Sequence, residues 1–391
     1  MADMQYRLDA RSGRKISALG FGCMRFPREK DAEELVVRAV EAGVNYFDTA
    51  YAYPGNEETL GRILERTGLR EQVLIATKLP HGTVRSLDDV DRLFRTSLSR
   101  LRTDYVDYYL IHNVITLDDW KRLVGLGIEQ WIADRKAEGS LRQVAFSFHG
   151  TLPEFKGLLD AYDWDMVQIQ YNYMNENFQA GREGLELAAE RGLPVVIMEP
   201  LLGGTLAKGL PAKAQAALEK ACPERSCASW ALRWLWDQPA VTCVLSGMNA
   251  VEQLEDNLAT AADAEPGCLS PSEREAIAQV KEAFGEKWRV PCTGCNYCMP
   301  CPAKINIPAA FSAYNESFAV SWFSGVVRHV TGSGITSGDP HFLAGCTGCG
   351  ACKRKCPQHI DVPRELSAVQ KRLEPAVIRP ASKVFMKVMR R

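Results

Sequence analysis

From Ile16 to Asn257, short apolar runs rich in β-branched and aromatic residues alternate with stretches whose apolar positions recur every three or four residues. The short runs are ISALGFG, YFDTA, VLIATKL, YVDYYLIH, QVAFSFH, MVQIQYN, PVVIMEP and VTCVLSG, and each predicts a strand. The stretches between them, such as DAEELVVRAVEAG, SLDDVDRLFRTSLSRL and DWKRLVGLGIEQWIADRKAEG, predict helices. Several end in Gly, as helix C-termini often do. Alternation at this spacing implies parallel strands joined by right-handed crossovers. Eight such units in about 250 residues fit a closed (β/α)8 barrel better than an open sheet. The polar segment MQYRLDARSGRK, with Ser-Gly at its centre, predicts a short hairpin ahead of the first strand.

After Asn257 the pattern changes. AADAEPGCLSPSEREAIAQVKEAFGEKW reads as a linker followed by a helix with Ser at its start. The expected division is a barrel over residues 1–265, a linker and helix over 266–288, and a small, mainly α-helical domain over 289–391. The basic end, SKVFMKVMRR, reads as a solvated or docking helix, too short for a membrane anchor.

At 391 residues the chain has room for a large domain plus a smaller one. A formal net charge of -1 gives no electrostatic reason for a nucleic-acid partner. No apolar run approaches the ~20 residues of a membrane span. The polar N-terminus lacks the apolar segment of a signal peptide, so a cytoplasmic protein is expected. In that reducing compartment, clustered cysteines point to metal rather than to disulfides. Of 13 cysteines, eight fall in two tight runs, CTGCNYCMPCP and CTGCGACKRKCP. The other five, Cys23, Cys222, Cys227, Cys243 and Cys268, are scattered and read as small buried hydrophobes.

Chemistry in a parallel barrel collects at the C-terminal ends of its strands. Asp48, Lys78 and His112 sit there, with Tyr53 in the loop after Asp48. A strand-end Asp commonly caps a turn, and a Tyr at a barrel mouth is often only packed. A Lys ending an apolar run is different, because a buried ammonium needs a counter-charge. With Asp48 as that partner, the Lys78 charge would favour phenolate at Tyr53 and make it a proton donor near neutral pH. His112 would then orient the substrate oxygen or relay the proton.

FDTAYAYPGNEE, IATKLP and LIHN resemble the aldo-keto reductases, whose Asp–Tyr–Lys–His tetrad falls on Asp48, Tyr53, Lys78 and His112. The resemblance continues through VAFSFHG, VQIQYNYMN and MEPLLGG, over residues 5–260. It implies a nicotinamide cofactor, NAD(P)H, with Ser147 and Gln168 on the carboxamide and Tyr171 stacked nearby. Ser246, Asp256 and Asn257 in SGMNAVEQLEDN would serve the rest of the cofactor, the last two as the adenine-contacting pair. Two departures stand out. The family's Asn after Ser147 is Phe148 here, and Gly247, Met248 and Gln253 replace the cations that hold the 2′-phosphate of NADPH in relatives.

CPAKINIP and CPQHIDVP, each followed by a helical pattern, look like the α-helical ferredoxin domains of succinate dehydrogenase iron–sulfur subunits. In two-cluster ferredoxins the cysteine before Pro ligates the other cluster. That rule gives one [4Fe–4S] cluster to Cys292, Cys295, Cys298 and Cys356, and the other to Cys346, Cys349, Cys352 and Cys301. The first run ends one residue shorter than the usual spacing. Zinc is the competing reading, but zinc ribbons use separated Cys-x2-Cys pairs. The whole chain thus resembles an aldo-keto reductase fused to a two-cluster ferredoxin domain.

Cubanes pass single electrons and nicotinamide passes hydride, so a flavin such as FMN is a further cofactor candidate. The glycines of MEPLLGGTLAKGL, Gly203 and Gly204, would cradle its phosphate. Three functions remain open at this point. One is an iron–sulfur oxidoreductase of a small carbonyl or alcohol substrate, served by a ferredoxin or other electron-transfer protein. Another is a plain NAD(P)H-dependent carbonyl reductase with structural clusters. The third is a non-catalytic redox-sensing or electron-carrier module with the barrel as scaffold.

Overall fold

A hairpin comes first: β1 (Tyr6–Leu8) pairs antiparallel with β2 (Lys15–Ser17), Tyr6 opposite Ser17. Eight parallel strands follow: β3 (Leu19–Gly22), β4 (Tyr46–Asp48), β5 (Leu74–Leu79), β6 (Val106–Val114), β7 (Leu141–Phe148), β8 (Met166–Gln170), β9 (Val195–Met198) and β10 (Cys243–Ser246). They run in sequence order around a barrel that closes where β10 pairs with β3, Val244 opposite Leu19. The run ISALGFG is shared, its start completing the hairpin and its LGFG opening the barrel. The structure is a computed structural model describing residues 4–208, 210–285, 288–319, 321–333 and 341–374. The basic end of the chain lies outside these described residues.

Contacts group the chain into two units, Met1–Leu201 with Ala228–Ser270 and Leu202–Cys227 with Pro271–Arg391. In the first unit, Tyr46, Ala76, Tyr108, Leu110, Ala145, Met166, Val196, Cys243 and Leu245 belong to one buried cluster, so the barrel is filled with side chains. The crossover helices are α1 (Glu29–Glu41), α2 (Asn56–Thr67), α3 (Leu87–Leu101), α4 (Leu117–Gly125), α5 (Ile128–Glu138), α6 (Leu152–Ala161) and α7 (Gly181–Glu190). Next come α8 (Ala212–Ala221), which belongs to the second unit, then α9 (Cys227–Trp236) and α10 (Val251–Ala261). Ser86 caps α3 by accepting the Asp89 N–H, and Thr116 and Asp119 form a capping box on α4. The single helix expected over DWKRLVGLGIEQWIADRKAEG is two. Gly127, at φ 92, takes a left-handed turn that stops α4 and opens α5.

The hairpin is clamped to the barrel by one side chain. The Arg7 guanidinium donates to the carbonyls of Trp236 (2.7 Å), Gln238 (3.0 Å), Ala264 (3.1 Å) and Val241. Beside it, Tyr108 from the barrel interior donates its hydroxyl to Asp9 at 2.7 Å.

The second unit packs α8 against α11 (Pro271–Gly285) and adds α12 (Ile307–Ala319), α13 (Trp322–Gly332), α14 (Ala351–Lys355) and α15 (Val362–Leu373). Ile305, Ile307, Phe311, Leu343, Ile360, Val362, Leu366 and Val369 share one apolar core, with Cys292, Cys298, Cys301 and Cys356 packed against it. Buried Asn315 ties α12 to the first cysteine run: its amide donates to the Val290 carbonyl at 2.7 Å and its Oδ1 accepts the Val290 N–H at 2.9 Å.

Removing the clamp should be costly. Arg7→Ala leaves several part-buried carbonyls without their donor and should lower the unfolding free energy by about 3 kcal/mol in denaturant titrations. Arg7→Lys, which lacks the planar fork, should recover only part of it.

Candidate active site and candidate cluster sites

Asp48 ends β4, Lys78 lies near the end of β5, and His112 lies in the last third of β6. Asp48 and Lys78 are 4% and 1% exposed. The Lys78 ammonium lies 2.6 Å from Asp48 Oδ1 and donates to the Thr49 carbonyl at 2.7 Å. Burial pushes the Asp48 carboxyl above its ordinary range, and the adjacent ammonium pulls it back. Half-buried Tyr53 sets its ring 5.2 Å from the Lys78 nitrogen and edge-on to the His112 ring, centroids 5.8 Å apart. The four residues singled out in the sequence are therefore neighbours. Burial first, then Lys78, His149 and His81, hold His112 well below the usual histidine range. It is a neutral imidazole at neutral pH.

Its aim is set by an irregularity. The β6–β7 register shifts between Ile111 and Val114, and Asn113 within that stretch stands at φ 60. The Asn113 N–H donates to Ser147 Oγ at 2.8 Å, which leaves the Ser147 hydroxyl hydrogen for another acceptor. Gln168 lies opposite Ser147 in the β7–β8 register, and its buried Oε1 has no hydrogen-bond partner. One donor and one acceptor side by side complement a primary carboxamide, whose oxygen accepts and whose NH2 donates. The pair fits a nicotinamide.

The other cofactor candidates fare differently. Asn257 donates to Ser246 Oγ at 2.8 Å, linking α10 to β10, with Asp256 half-buried beside it on α10. Tyr171 is wholly buried, its hydroxyl donating to Gln238 Oε1 at 3.1 Å and its ring 5.2 Å from Trp234. Gly203 and Gly204 belong to the second unit. A side chain at Gly203 would place its Cβ 1.9 Å from the Thr293 carbonyl, so this glycine is required by packing against the first cysteine run.

Three residues near His112 were not singled out in the sequence: Asn113, His81 and His149. His81 and His149 are 8% and 3% exposed. Arg122 donates to the His81 carbonyl at 2.7 Å and faces its Nδ1 at 3.3 Å, which assigns the ring proton to Nε2. Their signal was position, since both follow the ends of strands β5 and β7.

In the second unit the two cysteine runs repeat one backbone pattern. Gly294 and Gly348, in the two CTGC segments, have φ 69 and 67. Asn296 and Gly350 follow at φ 65 and 70, and Lys304 and His359, three residues after the last cysteine of each run, at φ 56 and 53. Each run then enters a helix whose cap is Asn306 or Asp361, accepting the Ala309 N–H at 3.2 Å and the Arg364 N–H at 3.4 Å. Burial pushes the Cys298 thiol up to about 12, with Cys292, Cys295 and Cys356 as further neighbours raising it. Burial also raises the Cys352 thiol, whose thiol neighbours are Cys346 and Cys301. The interactions thus join Cys356 to the first run and Cys301 to the second. Cys298, Cys301, Cys346, Cys349 and Cys352 line one cavity. Among the described residues, no three of His, Cys, Asp and Glu converge to hold a single ion. Thiols crowded this way ionise together only around a cationic centre, and the sulfur-only donor set fits iron–sulfur.

The Aldo/keto reductase family profile matches residues 18–266, and a 4Fe-4S dicluster domain profile matches residues 291–360. An uncharacterized oxidoreductase of Bacillus subtilis is 27% identical over 279 residues, 63% of this chain and 87% of that protein. The holo form of an aldo-keto reductase from Bacillus halodurans superposes with a TM-score of 0.60 at 28% identity, covering 71% of this chain and 96% of that one. A putative aldo-keto reductase from Pseudomonas aeruginosa gives 0.54 at 27% identity, over 68% and 98%.

The buried ion pair makes an asymmetric prediction. Lys78→Met strands the Asp48 carboxylate and should destabilise the protein by about 3 kcal/mol, whereas Lys78→Met with Asp48→Leu should recover much of the loss. Chemical denaturation of both variants measures the difference.

Proposed function

The chain belongs to the aldo/keto reductase family and carries a 4Fe-4S dicluster domain, and from that premise we propose that it interconverts a small carbonyl and its alcohol, with Tyr53 as proton donor and electrons relayed through two [4Fe–4S] clusters. The observation that carries the reading is the sealed Lys78–Asp48 pair beneath the Tyr53 ring, next to a neutral His112.

A carbonyl oxygen at the barrel mouth would meet the Tyr53 hydroxyl and the His112 imidazole. As that oxygen gains negative charge, Tyr53 gives up its proton and the Lys78 ammonium stabilises the phenolate left behind. Asp48 holds the ammonium in place. Neutral His112 carries no surplus proton, so it orients the oxygen by hydrogen bonding. Ser147 and Gln168 would hold a nicotinamide carboxamide, and Ser246, Asp256 and Asn257 the remainder of the dinucleotide. When bound, that cofactor supplies the hydride. Gly247, Met248 and Gln253 offer no cation to a 2′-phosphate, which favours NADH over NADPH. A flavin would couple this two-electron hydride to one-electron clusters; of the two glycines offered for its phosphate, Gly203 is taken by packing on Thr293 and Gly204 has open space around it. The thiols of Cys292, Cys295, Cys298 and Cys356 would hold one cluster, and Cys346, Cys349, Cys352 and Cys301 the other. Such clusters supply one-electron transfer.

Tyr53→Phe should lower kcat/KM for carbonyl reduction at least about a hundredfold while iron content and visible cluster absorbance stay unchanged. Turnover at the wild-type level would remove Tyr53 from the chemistry. Cys295→Ser should lower bound iron by about half. Loss of carrier-driven turnover in that variant places the clusters in the path; full retention makes them structural.

A further inference from the structure

We propose that the face around Cys346 and Cys349 is the docking surface for an acidic one-electron carrier protein, which exchanges electrons with the cluster of the second run. This rests on the reading of the two runs as [4Fe–4S] sites.

Exposure separates the two sets of thiols. Cys346 and Cys349 are exposed, whereas every cysteine of the first run and Cys356 is partly covered, and Cys352 is buried. A cluster held by the second run therefore has an open side. Electron transfer over a protein–protein contact needs such an approach, and weak redox encounters use small, charge-matched surfaces.

The surroundings of that opening are basic. Between Cys346 and Arg364 stand four cations, Lys353, Arg354, Lys355 and Arg364, against one carboxylate, Asp361: four minus one gives +3, in a chain whose total is -1. All four cations are exposed. Asp361 is already occupied by Lys353 at 2.7 Å. Arg354 leans over the run itself, donating to the Cys349 carbonyl at 3.4 Å. The collar continues across the cavity wall. Exposed Lys304 follows Ala303, and Arg364 follows Pro363, both of which line the cavity with Cys301, Cys346, Cys349 and Cys352. Lys304 and Lys355 form no ion pair among the described residues, and Arg364, without a pair within bonding distance, shares the field of Asp361 with Lys353.

Cations near a thiolate cluster also offset its own negative charge. Arg354 is placed for that role, through its contact at Cys349. Among the described residues, no thiol contact engages Lys304, Lys355 or Arg364 in this way, which leaves them to a partner. Unpaired surface cations around a redox centre steer an anionic protein toward it and suppress cationic ones. In the transfer, one electron leaves the reduced centre of the carrier and enters the cluster; the carrier is oxidised by one, the cluster reduced by one, and no bond or proton moves.

The test uses the full-length protein, purified anaerobically, and a small acidic two-[4Fe–4S] ferredoxin as probe. Calorimetry measures its Kd, and stopped-flow absorbance measures cluster reduction by its reduced form. For the wild type, both should weaken steeply between ~0.05 and ~0.5 M salt. Lys304→Glu/Lys355→Glu/Arg364→Glu should raise Kd and slow reduction at least about tenfold. Iron, sulfide and the rate with a neutral, zwitterionic viologen should stay unchanged, and the triple Gln variant, which adds no repulsion, should fall between. A loaded variant with unmoved Kd overturns the docking surface alone, as does equal slowing with the viologen. A wild-type preparation without iron and sulfide overturns the cluster reading, and this inference with it.

Discussion

An ammonium group with 1% of its surface exposed is stable only where a carboxylate and a carbonyl are brought to it, and much of the barrel mouth follows from meeting that condition at Lys78. β4 and β5 must be adjacent and in the register that sets Asp48 opposite Ala76, so that side chains from two strands meet inside the barrel. The chain must turn at once after Asp48 to present the Thr49 carbonyl. The charge thus retained disfavours a second cation nearby, which helps keep His112 neutral, and its field reaches the Tyr53 ring. Burial and one sealed ion pair therefore keep the imidazole neutral together, and the pair shapes the electrostatic surroundings of the phenol.

The cysteine-bearing unit solves a different problem with the same economy of parts. Two CTGC turns with matched left-handed positions, two Cys-Pro exits and two capped helices form a repeat whose halves share a single apolar core. Packing thiols against that core raises Cys298 and Cys352 above their ordinary range. The crowding works against bare thiolates and in favour of a cationic centre bound among them.

Much of this was legible in the sequence because it follows short-range rules. The eight strands announced themselves as apolar runs, the hairpin through Ser-Gly, and Asp48, Lys78 and His112 stood at or near strand ends, with Tyr53 in the loop after Asp48. The break at Gly127 was missed because helical periodicity carries across a single left-handed residue, while the backbone does not. Asn113 escaped because its importance lies in a register shift between strands, which no local pattern encodes. His81, just past the VLIATKL run, and His149, closing QVAFSFH, carried no local mark that folding would bring them to His112. Gly203 read as part of a phosphate loop, since a glycine needed for packing and one needed for a ligand leave the same mark in the chain.

The segment Leu202–Cys227 lies between two barrel strands in the chain yet belongs with the cysteine-bearing unit. The two units are thus not beads joined by one thread, since the polypeptide passes from the first to the second, back, and over again. A cut after Ser270 would keep every barrel strand but orphan α8 from α11 and deprive the Gly203 turn of the Thr293 backbone it rests on. No single cut separates the two units cleanly, because α8 and the Gly203 turn stay on the barrel side of it in the chain.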